Sequence, residues 1–405
     1  MANYNLDDLS DLFKIKYGKL SENTYNSSNV LLARIKKSYD FVGKRKEMPV
    51  PLSFAGGVGS GSLPAANIGK VDTAEITAKK MYAVCEIDRE SIKAASASEG
   101  AFVEMTKFTV QKTVESFMRN LSRAIFNDGT GALGAGDGST NVTGAGTSGS
   151  PYVVVIGAAS WKEANWEEKD FVNYDTETTQ LEVIEVAPST RTVKLVGTSA
   201  GLAALSASGP VPTNKYFHMQ KSKDEDPTGL KGVIDATSGN LYSIPVQRRW
   251  KAGAQIAAGG AGLTTDLMNE AMLDIQRASG KVPDLIMTSY TQYRKLLNIL
   301  EDQKQYCLDP RSPELVGKIS FRGLEFMSAA GPVGVFVDRF IEDDRMYFLN
   351  SNYVELCHRP DFGWFDDDGS VFLRTAGDSY EARFGGYMEL YCPPSFHGKI
   401  DGLAT

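Results

Sequence analysis

The stretch "SEGAFVEMTKFTVQKTVESFMRNLSRAIFNDG", residues 98–129, decides how the rest of the chain is read. Val110, Val114, Phe117, Leu121 and Ile125 recur at steps of four and three, which predicts a single apolar stripe along a helix. Ser96 or Ser98 is placed to cap it. Glu99 and Glu104 lie early and Arg119 and Arg123 late, an order that complements the helix dipole. Gly129 marks the stop. At 1.5 Å per residue, a helix over 99–127 is about 40 Å long. That is long for a globular domain and suits a beam against which other parts pack.

Upstream of the beam lies "PVPLSFAGGVGSGSLPAANIGKVDTAEITAKKMYAVCEID", residues 49–88. Ile76, Met81, Ala83, Cys85 and Ile87 fall in two runs at period two, and Pro49 and Pro51 suit an edge strand because proline cannot donate to a ladder. The expectation is a long, poorly anchored hairpin with a glycine-rich tip. A phosphate cradle is the competing reading of that tip, and it fails. A P-loop needs G-x-x-x-x-G-K-[ST], whereas Lys70 is followed by Val71 and Pro64 stands where the first glycine belongs. The dinucleotide fingerprint needs a helix after its glycines, and here a strand follows. Further upstream, residues to about Asn29 read as an extended arm or short helix. Arg34, Lys36, Lys37, Lys44, Arg45 and Lys46 then read as a solvated helix face, or as a basic inner surface or an inter-subunit contact.

Downstream, residues 128–151 are low in complexity and read as a flexible linker. From Pro151 to about Gln220 the texture turns to short strands, with a hairpin joined at Pro188-Ser189-Thr190, and this is read as a small inserted β-barrel or sandwich. Next come an amphipathic helix capped by Thr264 or Thr265 and ended by Gly280, a buried strand "PDLIMTS", a second helix "YTQYRKLLNILEDQKQY" and several strands. The chain closes on long β-structure, with a turn expected at Asp368-Gly369.

Composition narrows the function classes. Across 405 residues, 42% hydrophobic and 23% charged is ordinary for a soluble globular protein, and the length implies two or three packing units. No apolar run reaches the roughly 18 residues of a membrane helix, and the acidic start does not resemble a signal peptide. A net charge of -7 argues against coating nucleic acid over the whole surface. Cys85, Cys307, Cys357 and Cys392 have no paired spacing and read as free thiols. His218, His358 and His397 match no zinc pattern, and no nucleophile elbow is present. Asp366, Asp367 and Asp368 read as a turn rather than a cation loop. "QRRWKAG", residues 247–253, reads as packing or interface rather than a strand binder. No catalytic, cofactor-binding or metal-ligating constellation assembles, and the chain is expected not to be an enzyme.

The linear order of these parts, over almost the whole chain, resembles the major capsid proteins of tailed double-stranded DNA bacteriophages, those with the HK97 type of fold. The resemblance implies an α+β fold: an N-terminal arm (1–45), an extended β-hairpin loop (46–92), and a peripheral domain (93–150 and 351–405) holding the spine helix. It further implies a small inserted β-domain (151–222) and an axial domain (223–350). The loop is expected to lie across a neighbouring subunit, with Gly56, Gly57, Gly59, Gly61, Pro64, Asn67 and Lys70 at its tip. The implied function is a structural subunit that self-assembles into hexamers and pentamers of an icosahedral head, in the virion capsid assembled in the host bacterial cytoplasm. Implied partners are further copies of the chain, a portal, a separate scaffolding protein, decoration proteins and packaged double-stranded DNA, contacted weakly. No membrane and no cofactor is implied. An encapsulin-type compartment is the alternative, and an enzyme or carbohydrate-binding protein with a β accessory domain is a more distant one.

Overall fold

A computed structural model describes residues 30–41, 43–53, 69–88, 99–176, 180–197, 209–247, 249–301, 324–328, 331–366, 373–374 and 379–405. Along the chain come α1 (Val30–Arg34), β1 (Lys36–Ser38), β2 (Arg45–Pro51), β3 (Val71–Thr77), β4 (Lys79–Asp88), the long α2 (Glu99–Phe126), and then β5 (Ala132–Ala135), β6 (Tyr152–Val155), β7 (Phe171–Tyr174), β8 (Leu181–Ala187), β9 (Thr192–Gly197) and β10 (Tyr216–Met219). The second half holds α3 (Leu230–Ile234), β11 (Asn240–Leu241), β12 (Ile244–Pro245), β13 (Ala254–Ala257), α4 (Thr265–Ser279), β14 (Leu285–Thr288), α5 (Tyr290–Glu301), β15 (Leu324–Ser328), β16 (Gly331–Val337) and β17 (Met346–Leu349). It ends with β18 (Glu355–Trp364), β19 (Leu373–Arg374), β20 (Ser379–Tyr391) and β21 (Gly398–Asp401).

The stripe on α2 does what its spacing requires: Val110, Val114, Phe117, Leu121 and Ile125 are all buried. Val114, Phe117, Leu121 and Ile125 pack into the main core, where Phe117 meets Phe384 of β20 edge-on with ring centroids 5.0 Å apart. The expected cap serines lie outside the described residues. Gly129, at φ +90, reverses the chain just beyond the helix end. Above α2 lies a five-stranded sheet in which β20 is central, flanked by β18 and β19 on one side and β4 on the other, with β1 parallel to β18.

The expected hairpin divides in two. β2 and β3 pair antiparallel from Arg45↔Thr77 to Pro51↔Val71. β4 instead leaves at Ala78 and pairs with β20 over ten residues, from Lys79↔Met388 to Asp88↔Ser379. Nor is the hairpin poorly anchored. Val50, Leu52, Ala74 and Ile76 are buried in the main core, so one face of the ladder is part of the subunit's own interior.

The inserted domain begins earlier than the sequence texture suggests. The strand order is β5-β10-β7-β8-β9-β6. An antiparallel bridge between Gly136 and Ile156 joins the two ends and closes the sheet into a small barrel. Gly157 N donates to Ala135 O at 2.9 Å across this seam. Closure removes both exposed edges, and Ile156, Trp166, Val183, Leu195 and Phe217 fill the interior. Residues 129–151 are therefore barrel wall rather than linker. Their glycines serve close approach: a Cβ on Gly136 would lie 2.1 Å from Val211 O, and one on Gly144, at φ +98, 1.9 Å from Pro151 O. The Pro188–Thr190 turn joins β8 to β9 as expected, with Arg191 in the left-handed region.

The third sheet has the order β13-β21-β17-β14-β16-β15. One face carries Ile286, Val335, Phe348 and Ile400 against Met268, Ala271 and Ile275 of α4. The other turns Leu285, Met287, Tyr347 and Leu349 into the main core. Both faces are covered, which explains why "LIMT" is apolar without alternation. Thr264 caps α4 by accepting from Leu267 N, and Gly280 ends it at φ +72. β21 runs parallel to β13, so the final residues belong to this α/β unit and not to the long-sheet unit expected for 351–405. The Asp368-Gly369 turn lies outside the described residues.

Candidate functional site

The candidate residues lie along the chain between β2 and β3. Gly56, Gly57, Gly59, Gly61, Pro64 and Asn67 lie outside the described residues. Lys70 is described, and it belongs to the base of the loop rather than its tip. Its carbonyl accepts from Leu52 N at 2.8 Å, its N–H donates to Ser53 Oγ at 2.7 Å, and its ammonium lies 3.1 Å from Asp72. Lys70 therefore closes the last rung of the β2–β3 ladder.

A buried pin fixes that base. Lys46 Nζ donates to Ser38 Oγ at 2.6 Å and to Glu355 Oε1 at 2.7 Å, joining β2 to β1 and β18. Burial alone would lower the pKa of this amine, but Glu355 and its neighbours outweigh that and hold it above the ordinary lysine value. The other face of the hairpin is open: Arg45, Glu47, Pro49, Pro51, Val71, Thr73 and Thr77 are exposed. The β2–β3 ladder thus has one buried face and one exposed face.

The beam helix is tied to its surroundings by charge. Arg119 lies 2.7 Å from Glu167 and 3.1 Å from Asp170, docking the barrel onto α2. Arg123 reaches Asp226 at 3.3 Å in the segment that leaves the barrel. Deeper in, Glu342 sits between Lys162 Nζ at 3.1 Å and Lys231 Nζ at 3.0 Å, and Arg345 pairs with Asp235 at 2.8 Å. Burial pushes the Glu342 carboxyl up, but Lys162, Lys231 and Arg345 outweigh it and hold the group below the usual carboxylate range. This junction of α2, barrel, α3 and α/β sheet joins residues far apart in the sequence, so no local pattern marks it.

The histidines are packing residues. His397 is fully buried, its Nδ1 accepts from Asn350 N at 3.2 Å, and burial lowers its pKa to about 3. His218 bridges the carbonyls of Asp175 and Met219, and His358 stacks on Phe362. Trp250 of "QRRWKAG" is buried and donates to Leu241 O at 3.0 Å, a packing role. Cys85, Cys357 and Cys392 are buried free thiols, and Cys307 lies outside the described residues. Among the described residues no group of three or more His, Cys, Asp or Glu is placed to hold a metal, and no helix is long and apolar enough to cross a membrane.

The β2–β3 hairpin, the long helix α2, the five-stranded sheet, the closed β-domain and the α/β unit together match the HK97-like fold of phage capsid proteins. The capsid protein of cyanophage A-1(L) shares it, with a TM-score of 0.56 at 10% identity over 92% of each chain. The capsid protein of the native GTA particle matches at a TM-score of 0.45 and 11% identity, covering 92% of this chain and 90% of that one. No curated protein matches. Residues 198–362 match the SU10 major capsid protein family. The chain has the fold of phage capsid proteins, and part of it is similar to the SU10 major capsid protein family.

Proposed function

We propose that copies of this chain assemble into hexamers and pentamers of an icosahedral head around double-stranded DNA. The β2–β3 hairpin carries the reading: one face is welded into the subunit core and the other is open, with prolines 49 and 51 on the exposed side. Heterologous contacts of this kind, repeated around a rotation axis, close into rings. The tip residues Gly56, Gly57, Gly59, Gly61, Pro64 and Asn67 reach the neighbouring subunit, and their glycines fit both five-fold and six-fold settings. The long-sheet unit is the peripheral domain and the α/β unit the axial domain. A portal, a separate scaffolding protein and decoration proteins complete the partner set. The net charge of -7 keeps contact with packaged DNA weak.

The test replaces residues 54–68 by a short turn. A folded, soluble subunit that forms no closed shells in electron micrographs is the expected result. Normal shells from this variant would overturn the role of the loop.

A further inference from the structure

β4 is the outermost strand on its side of the long sheet. Among the described residues its one strand partner is β20, paired over ten residues with no register shift. It contains no proline to blunt the edge. Phe365 N donates to Arg383 O at 2.9 Å, so the backbone groups of Arg383 are turned toward β18. Arg383 stands opposite Val84 in the ladder. Backbone groups alternate in direction along an antiparallel strand. Those of Val84, and with them those of Lys80 and Glu86, therefore point away from β20 toward the outer edge. The side chains of Lys80, Tyr82, Val84 and Glu86 share the sheet face opposite to the buried Cys85. Lys80 and Glu86 are exposed, and Tyr82 and Val84 are apolar side chains left 45% and 57% exposed. Tyr82 is held in place from inside the subunit, 5.6 Å from Phe365 and 6.4 Å from Tyr387 between ring centroids.

We propose that two copies of this chain pair edge to edge through β4, antiparallel, about a two-fold axis at Ala83. In this register Lys80 lies opposite Glu86 of the second copy and Tyr82 opposite its Val84, and the axis repeats each pair. Reversal of direction makes this short strand its own complement: cation meets anion, and exposed apolar side chain meets exposed apolar side chain. The same register sets the outward backbone groups of Lys80 against those of Glu86, so the paired residues exchange N–H···O bonds. A slip of two residues would put Lys80 against Val84 and lose both ion pairs, and a slip of one would turn the faces over. Within the subunit Glu86 accepts from Ser379 but stands opposite Glu381, a second carboxylate, whose charge is matched by Arg383. Like charges side by side destabilise a ladder and opposite charges support it, so Lys80 of a second copy answers what the subunit's own sheet leaves at Glu86. An open edge accepts any strand in principle; the matching of charge and apolar surface commits this one to another copy of the chain. The contact is isologous, whereas the loop contact proposed above is heterologous, and it makes no use of the loop tip. Rings closed by one kind of contact are joined to their neighbours by the other.

Cysteine cross-linking of the full chain tests this. Directly opposed, hydrogen-bonded residues have Cα atoms about 5.5 Å apart, within reach of a disulfide. A mixture of Tyr82→Cys and Val84→Cys chains, mildly oxidised, is expected to give a dimer linked from 82 to 84. Tyr82→Cys chains alone should link far less, because the two copies of residue 82 meet only on the diagonal. Lys80→Cys mixed with Glu86→Cys repeats the test away from the aromatic rings. Added to the 82 and 84 cysteine chains, Lys80→Glu or Glu86→Lys should cut the yield several-fold, and the two exchanges together should restore it. Replacing residues 54–68 by a short turn should leave the link in place, so the loop's role and the pairing of β4 are read separately. No link in either mixture would overturn the pairing. Equal linking in Tyr82→Cys alone would overturn the register, and no recovery in the double exchange would overturn the charge matching.

Discussion

Oε1 of Glu389, on the central strand β20, accepts a hydrogen bond from the backbone N–H of Thr228 at 2.7 Å, joining the long sheet to the segment that leaves the barrel. Burial pushes this carboxyl up to about 8, against the opposing effects of the Thr228 and Leu390 N–H groups and of Lys79. The folded-state pKa is therefore above the ordinary value of 4.5. Between the two values the folded chain holds a proton that the unfolded chain has released. The contribution is fully present below pH 4.5 and is lost as pH rises to about 8. Denaturation of the isolated subunit at several pH values should show this fall, and Glu389→Gln, which keeps the acceptor and removes the charge, should flatten that part of the profile. An unchanged slope in the variant would assign the pH dependence to other groups.

The Arg123–Asp226 pair makes a second prediction. Both side chains are largely buried, and Nε and Nη1 of Arg123 have no hydrogen-bond partner in the structure. Removing one member leaves the other charged and desolvated, which costs about 3–5 kcal/mol. Asp226→Ala should lose stability on that scale in urea denaturation. The double variant Arg123→Met with Asp226→Leu should recover most of it.

Legibility in the sequence followed how local each signal was. The stripe on α2 and the capped α4 could be read because one helical face shows itself within a dozen residues. The division of the hairpin at Ala78 was hidden, since β3 and β4 share one alternating pattern and differ only in partner: β2 is close in sequence, β20 some 300 residues away. Residues 129–151 look like linker by composition, yet Gly136 and Gly144 are glycine because two backbones touch there. The parallel pairing of β13 with β21 leaves no trace in four-residue strands. The junction at Lys162, Glu342 and Arg345 was illegible for a related reason: a charge in a turn reads as solvated until the fold buries it. The loop residues stand out in the sequence by glycine content and context, and of these Lys70 belongs to the ladder.

Anchoring of the hairpin separates folding from assembly. Ile76 is fully buried, whereas Val71, on the same strand, is exposed. Ile76→Ala should destabilise the subunit by about 2–5 kcal/mol in chemical denaturation. Val71→Ala should change stability by no more than about 0.5 kcal/mol, as exposed substitutions do. If Val71 meets a neighbouring subunit in the shell, the same variant will shift the yield of closed particles while leaving the monomer's denaturation curve in place.

Closure of the barrel rests on a backbone approach that a methyl group would block. A Cβ at Gly136 would sit 2.1 Å from Val211 O and 2.4 Å from the Val211 Cβ, so the two segments must part. The seam formed by the Gly136–Ile156 bridge and the Gly157-to-Ala135 hydrogen bond lies beside that contact. Overpacking of this kind costs about 1–3 kcal/mol. Gly136→Ala should therefore lower the melting temperature and raise amide exchange at Asp137, Ile156 and Gly157. The spine helix, whose buried stripe faces the main core and not the barrel, should keep its protection. Uniform loss of protection across α2 and the barrel would mean that the two fold as one unit, and that the insertion supports the subunit it interrupts.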